Sequence, residues 1–199
     1  MMLLETTTVP EAALPLSDFK AHLRMGTGFA DDGAQDAVLH GFLRAALSAI
    51  EARTGKVLYE RQFSWRVDRW RETRRVALPV APVGQVGGFD IVDAEDVVTA
   101  IDAAGWRLVP DAQRPEVMML SAALPTIPTG GFARFDLTAG FGPDWGDIPA
   151  DLRQAVMMLA AHYYEYRHDT GLDAGCMPFG VSALIDRYRA IRVTGGGLA

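Results

Sequence analysis

The sequence is poor in cysteine, in lysine and in long apolar runs. Its one cysteine, Cys176, rules out an intramolecular disulfide framework. The opening stretch MMLLETTTVP has no basic start and does not resemble a signal peptide, so we expect the chain to fold in a reducing cytoplasm. In the most apolar segment, the longest run without a polar residue is 155–161. That run is far short of the roughly 20 residues that a membrane span requires, and we expect a soluble protein.

Positive charge is also scarce, since 19 Lys and Arg face 25 Asp and Glu and the net charge is −6 at pH 7. This balance argues against a general nucleic-acid coat, because phosphate binding requires a clustered positive surface. The distribution is uneven: residues 66–75 (RVDRWRETRR) hold five arginines against two acids, whereas residues 90–102 are acidic. Arginine suits paired contacts with carboxylates, so the bias favours protein interfaces, although a GC-rich genome would produce the same bias.

Apolar residues are abundant and make up 49% of the 199 residues. This is enough to form the core of one domain or of two closely packed subdomains. The segment 148–168 (IPADLRQAVMMLAAHYYEYRH) is typical of one long amphipathic helix. Pro149 suits the first helical position, and Asp151 places negative charge where the helix dipole favours it. Its apolar stripe, at steps of three and four, is Leu152, Ala155, Val156, Leu159, Tyr163 and Tyr166. We predict that this face is buried.

Two further helices are predicted before it and one after it. Ser17 can cap a short helix from Asp18 to about Met25, and a second long helix begins at Asp31 or Asp32 and ends near Arg53, with Gly55 as its stop. The apolar stripe of the second helix is Leu39, Leu43, Ala46, Leu47 and Ile50. A last helix is predicted over 181–191.

Between the long helices, the hydrophobic pattern changes to period two, which predicts strands. Phe63, Trp65 and Val67 alternate with polar residues, and further short strands are predicted over 75–78, 86–91, 106–109, 116–120 and 132–139. The stretch LPVAPVGQVGG has two prolines close together, which favours an edge strand or an extended arm over a central strand.

The predicted fold is therefore α+β: a helical bundle of two long helices plus short terminal helices, with an inserted antiparallel β-rich region. Residues 1–15 are predicted to be a flexible N-terminal arm and 193–199 a flexible tail. Residues 16–55 and 143–192 are helical and pack as one domain, and 56–142 form the β-rich insertion.

The residues that carry chemistry do not form a recognisable site. Glu165 and His168 make one E-x-x-H, but two-carboxylate metal bundles need a second, which is absent from the sequence. Cys176 and His168 form the only Cys–His pair that suggests nucleophilic catalysis, and no local signature supports it. We predict no catalytic, metal or cofactor-binding residues. A small cytoplasmic enzyme using His168 and Cys176, or an Arg-rich nucleic-acid-binding module, remain the alternatives.

The order of the segments resembles a known family. A strand ending in AGFG, the helix IPADLRQAVMMLAAHYYEYRH and then MPFGVSALIDRYR resemble the head-to-tail connector (adaptor, or head-completion) proteins of long-tailed double-stranded DNA phages and gene transfer agents. LPLSDFKAHLRM, DAVLHGFLRAALSAIEARTGKVL and VALPVAPVGQV occur in the same order as in that family. The resemblance covers most of residues 14–192.

The resemblance implies a structural virion protein at the head–tail junction, assembled in the bacterial cytoplasm and not associated with a membrane. In that family, twelve copies form a ring under the portal, which carries stopper, head-completion or tail proteins below it and through which double-stranded DNA passes without sequence-specific binding. It also implies that the C-terminal segment docks on the portal. The predicted docking residues are Leu184, Ile185, Arg187, Tyr188, Arg189, Ile191 and Arg192.

The uneven charge predicts how subunits of such a ring meet. We expect a basic strand of one subunit to face the acidic segment of its neighbour, because a head-to-tail contact of this kind closes a ring. The basic residues are Arg66, Arg69, Arg71, Arg74 and Arg75, and the acidic residues are Asp90, Asp93, Glu95 and Asp96.

Overall fold

A computed structural model describes residues 1–25, 35–167 and 177–189 of the chain, and the following account concerns these residues. Their α-helices are α1 (Leu16–His22), α2 (Asp36–Thr54), α3 (Ala150–Glu165) and α4 (Phe179–Ile185). Their strands are β1 (Met2–Glu5), β2 (Arg61–Val67), β3 (Arg75–Ala77), β4 (Val83–Val92), β5 (Val98–Ala100), β6 (Trp106–Val109), β7 (Glu116–Met119) and β8 (Phe132–Ala139). None of these helices is both long and apolar enough to span a bilayer.

The strands form two antiparallel sheets, one of five strands in the order β1-β2-β8-β4-β5 and one of three in the order β3-β7-β6. The predicted bundle of two long helices with an inserted sheet is therefore wrong. The β region buries a core of its own, and α1 and α4 have only seven residues each. Connecting segments complete the helical core, through Leu14, Leu58, Tyr59 and Ile148.

Aromatic rings dominate the core of the β region. Alternation along β2 turns Phe63, Trp65 and Val67 inward, as the period-two pattern predicts. Phe135 of β8 lies at the centre, stacked on Phe89 at 4.3 Å between ring centroids and 5.3 Å from Trp65. The three-stranded sheet adds its own buried residues to this cluster, so the two sheets share one core.

The stretch LPVAPVGQVGG leads into β4 and forms its first part. Residues 83–88 pair with β8 on one side only, because β5 pairs only with Asp90, Ile91 and Val92. This part of β4 therefore lies at an edge, as the sequence predicts. Both prolines, Pro79 and Pro82, precede its first residue, so neither removes a donor from the ladder. The glycine-rich part is accommodated by register shifts between Val83 and Gln85 and between Val86 and Gly88.

The chain ends differ from the prediction. Residues 2–5, assigned to a flexible arm, form β1 and pair with β2, and the terminal amino group lies 2.7 Å from Asp68. The strand escapes detection because four residues are too few to establish an alternation. The last helix begins at Phe179 and ends at Ile185, followed by a 3-10 turn over 186–188, rather than running from 181 to 191. Residues 31, 32 and 193–199 lie outside the described part.

The two long helices follow their predicted stripes. Leu152, Ala155, Val156 and Leu159 of α3 are buried, although Tyr166 is exposed. The buried residues of α2 include the whole predicted stripe, and Gly55 ends the helix with a left-handed φ of 68°.

Residues 56–60 and 139–142 run side by side where the two cores meet. The amide of Phe141 donates to Leu58 O at 3.2 Å, and the amide of Glu60 donates to Gly142 O at 2.8 Å. Gly140 has a φ of +137°, and a Cβ there would collide with the backbone of Tyr59 and Glu60. We call this close approach of residues 56–60 and 139–142 the crossing. Position 140 of the AGFG sequence must be glycine there, because the crossing leaves no room for a side chain.

Replacing Gly140 by alanine should lower the free energy of unfolding by about 2 kcal/mol or more, because the substitution adds backbone strain and a collision. Gly41, in the middle of α2, is a matched control, since a Cβ there meets nothing within 4 Å. Its change to alanine should stabilise the protein by about 0.5–1 kcal/mol. Urea unfolding measures both, and changes of the same sign would contradict this account of the crossing.

Candidate assembly surfaces

The residues considered for catalysis are only partly described. His168 and Cys176 lie outside the described residues, and Glu165 is exposed at the end of α3. Within 1–25, 35–167 and 177–189, no group of three or more His, Cys, Asp and Glu is arranged to hold a metal ion. The surfaces predicted for assembly are therefore the remaining candidates for a functional site.

The arginine-rich segment is not one strand. Of its five arginines, Arg66 belongs to β2 and Arg75 to β3. The other three lie in residues 68–74, the loop that joins the two sheets. Arg66 pairs with Asp68 at 3.1 Å and lies over the Phe132 ring, 3.8 Å from its centroid. Arg75 lies 3.4 Å from Glu116. These two arginines are engaged within their own chain.

The loop arginines are different. Arg69 and Arg71 are exposed, and they have no hydrogen bond or ion pair with any described residue. Arg74 makes one long hydrogen bond, donating to Leu120 O at 3.4 Å. The loop therefore presents positive charge that the described chain does not neutralise.

The acidic segment divides in the same way. Asp90 accepts two hydrogen bonds from the Arg134 guanidinium, at 2.6 and 3.2 Å. Asp93 is occupied by backbone amides in the β4–β5 turn, accepting from Glu95 N at 3.0 Å and Val97 N at 2.8 Å. Glu95 and Asp96 are exposed without a partner among the described residues. They are the free carboxylates of this segment.

A cleft of ≈ 1320 Å³ is lined by six arginines and by the carboxylates of Asp68 and Glu72. Residues of β2, of β3 and of the loop between them line it, and Arg187 and Arg189 of the C-terminal segment border it. We call it the arginine cleft, and its arginines are Arg69, Arg71, Arg75, Arg114, Arg187 and Arg189. Residues predicted from the sequence for two separate surfaces thus line one cleft.

The apolar residues of the predicted docking helix mostly serve their own subunit. Ile185 is 1% exposed in the helical core, and Leu184 is only partly buried against the same core. Tyr188 also packs there. Ile191 and Arg192 lie outside the described residues. Sequence periodicity finds an apolar side but does not indicate which surface covers it.

Asp151, in the first turn of α3, anchors the C-terminal 3-10 turn. It accepts a hydrogen bond from the Tyr188 hydroxyl at 2.7 Å, and its other oxygen lies 2.9 Å from Arg187 Nε. The Tyr188 oxygen in turn accepts from Arg187 at 2.7 Å. Burial, followed by the bond to Asp151, raises the pKa of Tyr188, whereas the Arg187 bond opposes that rise.

Lys56 ties the β region to the same turn. It is 2% exposed, and its ammonium donates to Ala112 O at 2.6 Å and to Gln113 Oε1 at 2.8 Å. Burial lowers the pKa of Lys56, and the nearby Asp111 carboxylate opposes the shift. The Gln113 amide then donates to Arg187 O at 3.3 Å. This connection has no sequence signal, because its members are more than fifty positions apart.

Phe179 is the most exposed large apolar side chain in the described residues, at 90%. It opens α4, while Val181 and Ile185 of the same helix are buried. The sequence pattern that contains it, MPFGVSALIDRYR, does not single out Phe179. Because aromatic side chains often anchor protein–protein interfaces, Phe179 is a candidate contact residue.

Comparison with known proteins finds related solved structures. No family model matches the chain, and no curated protein matches it. The neck of an empty gene transfer agent particle, computed with C6 symmetry, is 56% identical over 98% of this chain and 99% of that chain, with a TM-score of 0.89. A chain of the native gene transfer agent virion is 55% identical over the same shares, with a TM-score of 0.87. The neck of the native particle, computed with C12 symmetry, is 50% identical over the same shares, with a TM-score of 0.84.

Replacing Tyr188 by phenylalanine tests the Asp151 anchor. The variant should lose about 1 kcal/mol of unfolding free energy at neutral pH, because the carboxylate loses a partly buried hydrogen-bond donor. Since the folded-state pKa of Tyr188 is raised, the bond is intact below the ordinary tyrosine pKa of about 10 and is lost as the pH rises through the folded-state value.

The difference between wild type and variant should therefore be smaller above the ordinary tyrosine pKa of about 10 than at neutral pH. Tyr166→Phe is the control, because the Tyr166 hydroxyl has no hydrogen bond with the described residues, and it should change stability by less than about 0.5 kcal/mol. Chemical denaturation at both pH values gives the comparison. An equal difference at both would contradict the proposed role of the bond.

Proposed function

The chain belongs to the head-to-tail connector family of gene transfer agents, and we propose that it joins the portal at a capsid vertex to head-completion and tail proteins. The observation that carries this proposal is the similarity, over nearly the whole chain, to neck components of gene transfer agent particles. Because the match spans both the helical core and the β core, it concerns the whole subunit and not one shared module.

The protein is a structural component and not an enzyme, as its relatives at this identity are structural neck proteins. This finding removes the enzyme alternative built on His168 and Cys176. The nucleic-acid alternative loses support because the net charge is −6 and because two of the five arginines, Arg66 and Arg75, are paired with carboxylates of their own chain.

The proposed assembly is a homo-oligomeric ring of twelve copies. Neck structures of relatives computed with C6 and C12 symmetry support it, since a twelve-fold ring also obeys six-fold symmetry. Its proposed place is the neck of the particle, after assembly in the bacterial cytoplasm. Double-stranded DNA would pass through it without sequence-specific binding, and a net charge of −6 per subunit favours sliding over tight phosphate binding.

The portal contact is proposed for the outward side of the C-terminal segment. Ile185 and Tyr188 hold the segment on its own subunit, which leaves Phe179 to provide the apolar contact. Ile191 and Arg192, which lie outside the described residues, remain part of the proposal. An exposed aromatic on an anchored helix suits insertion into a groove of a partner, because little side-chain entropy is lost.

Removal of the gene from the producing cell tests the neck assignment. We expect filled or empty heads without attached tails, and complementation with the wild-type gene should restore tailed particles in which electron microscopy shows a ring at the neck. Particles with normal necks and tails in the absence of this protein would contradict the assignment.

Replacing Phe179 by alanine should weaken portal binding by about tenfold or more, because a central aromatic anchor contributes at least about 1.4 kcal/mol. The fold should be preserved, since the side chain is exposed. Val38→Ala, at another exposed apolar position on α2, is the control. Co-purification of each variant with the portal, together with a circular dichroism melt, measures the effect. A folded Phe179→Ala protein that binds the portal normally would rule out this residue as the anchor.

A further inference from the structure

We propose that the β4–β5 turn of one subunit docks at the arginine cleft of the next, where Glu95 and Asp96 meet Arg69 and Arg71. The inference rests on the proposed ring, and it names the surfaces through which neighbouring subunits recognise each other. The sequence predicts a contact between the whole basic segment and the whole acidic segment, and the proposal narrows this contact to four residues.

The first argument is which charges remain available. Of the nine residues that the charge pattern nominates, Arg66, Arg75 and Asp90 are paired internally, Asp93 is taken up by backbone amides, and Arg74 donates to Leu120 O. A group already satisfied gains little from a new partner and must first give up the old one. Those that are exposed and have no partner among the described residues are two arginines and two carboxylates, Arg69, Arg71, Glu95 and Asp96.

The second argument is position. The loop that holds Arg69 and Arg71 follows β2, whereas the acidic turn joins β4 to the edge strand β5. β2 and β4 pair with opposite sides of β8 and end at the same level, since Val67 lies opposite Ala133 and Val92 opposite Phe132. Two strand spacings, or about 10 Å, separate these two strands. The loop and the turn are therefore different surfaces of one subunit, and contact between two different surfaces is what a head-to-tail ring requires.

The third argument is the form of the two surfaces. Asp93 holds the turn through two backbone amides, so Glu95 and Asp96 are presented in a fixed arrangement. Val97 and Val98 follow directly and are 58% and 50% exposed. The half-buried Val76, Pro79 and Val80 lie along the cleft. Docking would bury apolar side chains on both partners beneath a rim of opposite charges, while the charges select the orientation.

Charge reversal provides the main test. Arg69→Glu with Arg71→Glu gives a subunit with two acidic surfaces, and Glu95→Arg with Asp96→Arg gives one with two basic surfaces. Each variant alone should form at least about tenfold fewer rings than wild type, because like charges then face each other. An equimolar mixture should restore rings, since the two variants can alternate around an even-numbered ring. Particles made in cells that express one or both variants provide the material, and the number of necks that contain the protein is counted by electron microscopy.

The control for general charge effects is Arg107→Glu, an exposed arginine on β6 that does not line the cleft. It should leave ring formation unchanged. Failure of the mixture to restore rings, or normal rings from either double variant alone, would overturn the docking proposal.

Cross-linking gives an independent readout in assembled particles. Arg71→Cys and Asp96→Cys are combined with Cys176→Ser, which removes the only natural thiol. Mild oxidation should produce a ladder of covalent oligomers, because a disulfide forms only when the Cα atoms approach within about 7 Å. Arg71→Cys with Glu165→Cys is the control and should give no ladder.

These outcomes separate this inference from the proposed function. Protein present in the neck with no ladder overturns the docking contact and leaves the neck assignment standing. Protein absent from the neck overturns the proposed function and the docking contact together. A ladder with protein in the neck supports both.

Discussion

The fold depends on the crossing of residues 56–60 with 139–142. One core lies on each side of it: Leu58 and Tyr59 belong to the helical core, and Val57 and Ala139 to the β core. The backbones approach so closely that position 140 has no room for a side chain. Because the crossing is made of main-chain hydrogen bonds, it fixes how the sheet leads into α3. The crossing therefore fixes the position of the predicted assembly surfaces, because each of them is built on the helical core, on the β core or on both.

Charged side chains that already have a partner in their own subunit are not available to other subunits. The two charged segments look uniform in the sequence, but each is a mixture of occupied and unoccupied groups. Asp90 is held by Arg134 from the neighbouring strand, whereas Glu95 and Asp96 point from a turn. Since exposed ion pairs contribute only about 0–1 kcal/mol each, the free charges act mainly through orientation and selection of the neighbour.

The C-terminal turn connects the assembly surfaces with the fold. Its tie to Asp151 fixes it on α3, and its tie through Gln113 to Lys56 connects it with the β region. A partner bound to this segment would therefore contact a rigid part of the subunit. Arg187 and Arg189 also line the arginine cleft, so a portal contact and a contact between neighbouring subunits would lie next to each other.

The sequence alone determined the local structure of the longer elements and the family. Periodicity of 3.6 located α2 and α3, and alternation located β2 and β8, because each runs for at least seven residues with one buried face. Only the tertiary structure decided that there are two sheets, that β8 is the central strand of the larger one and that Met2–Glu5 pair with β2. It also decided which charges of 66–75 and 90–102 stay free. Pairing partners lie tens of residues apart in the chain, and no local pattern encodes which of them meet.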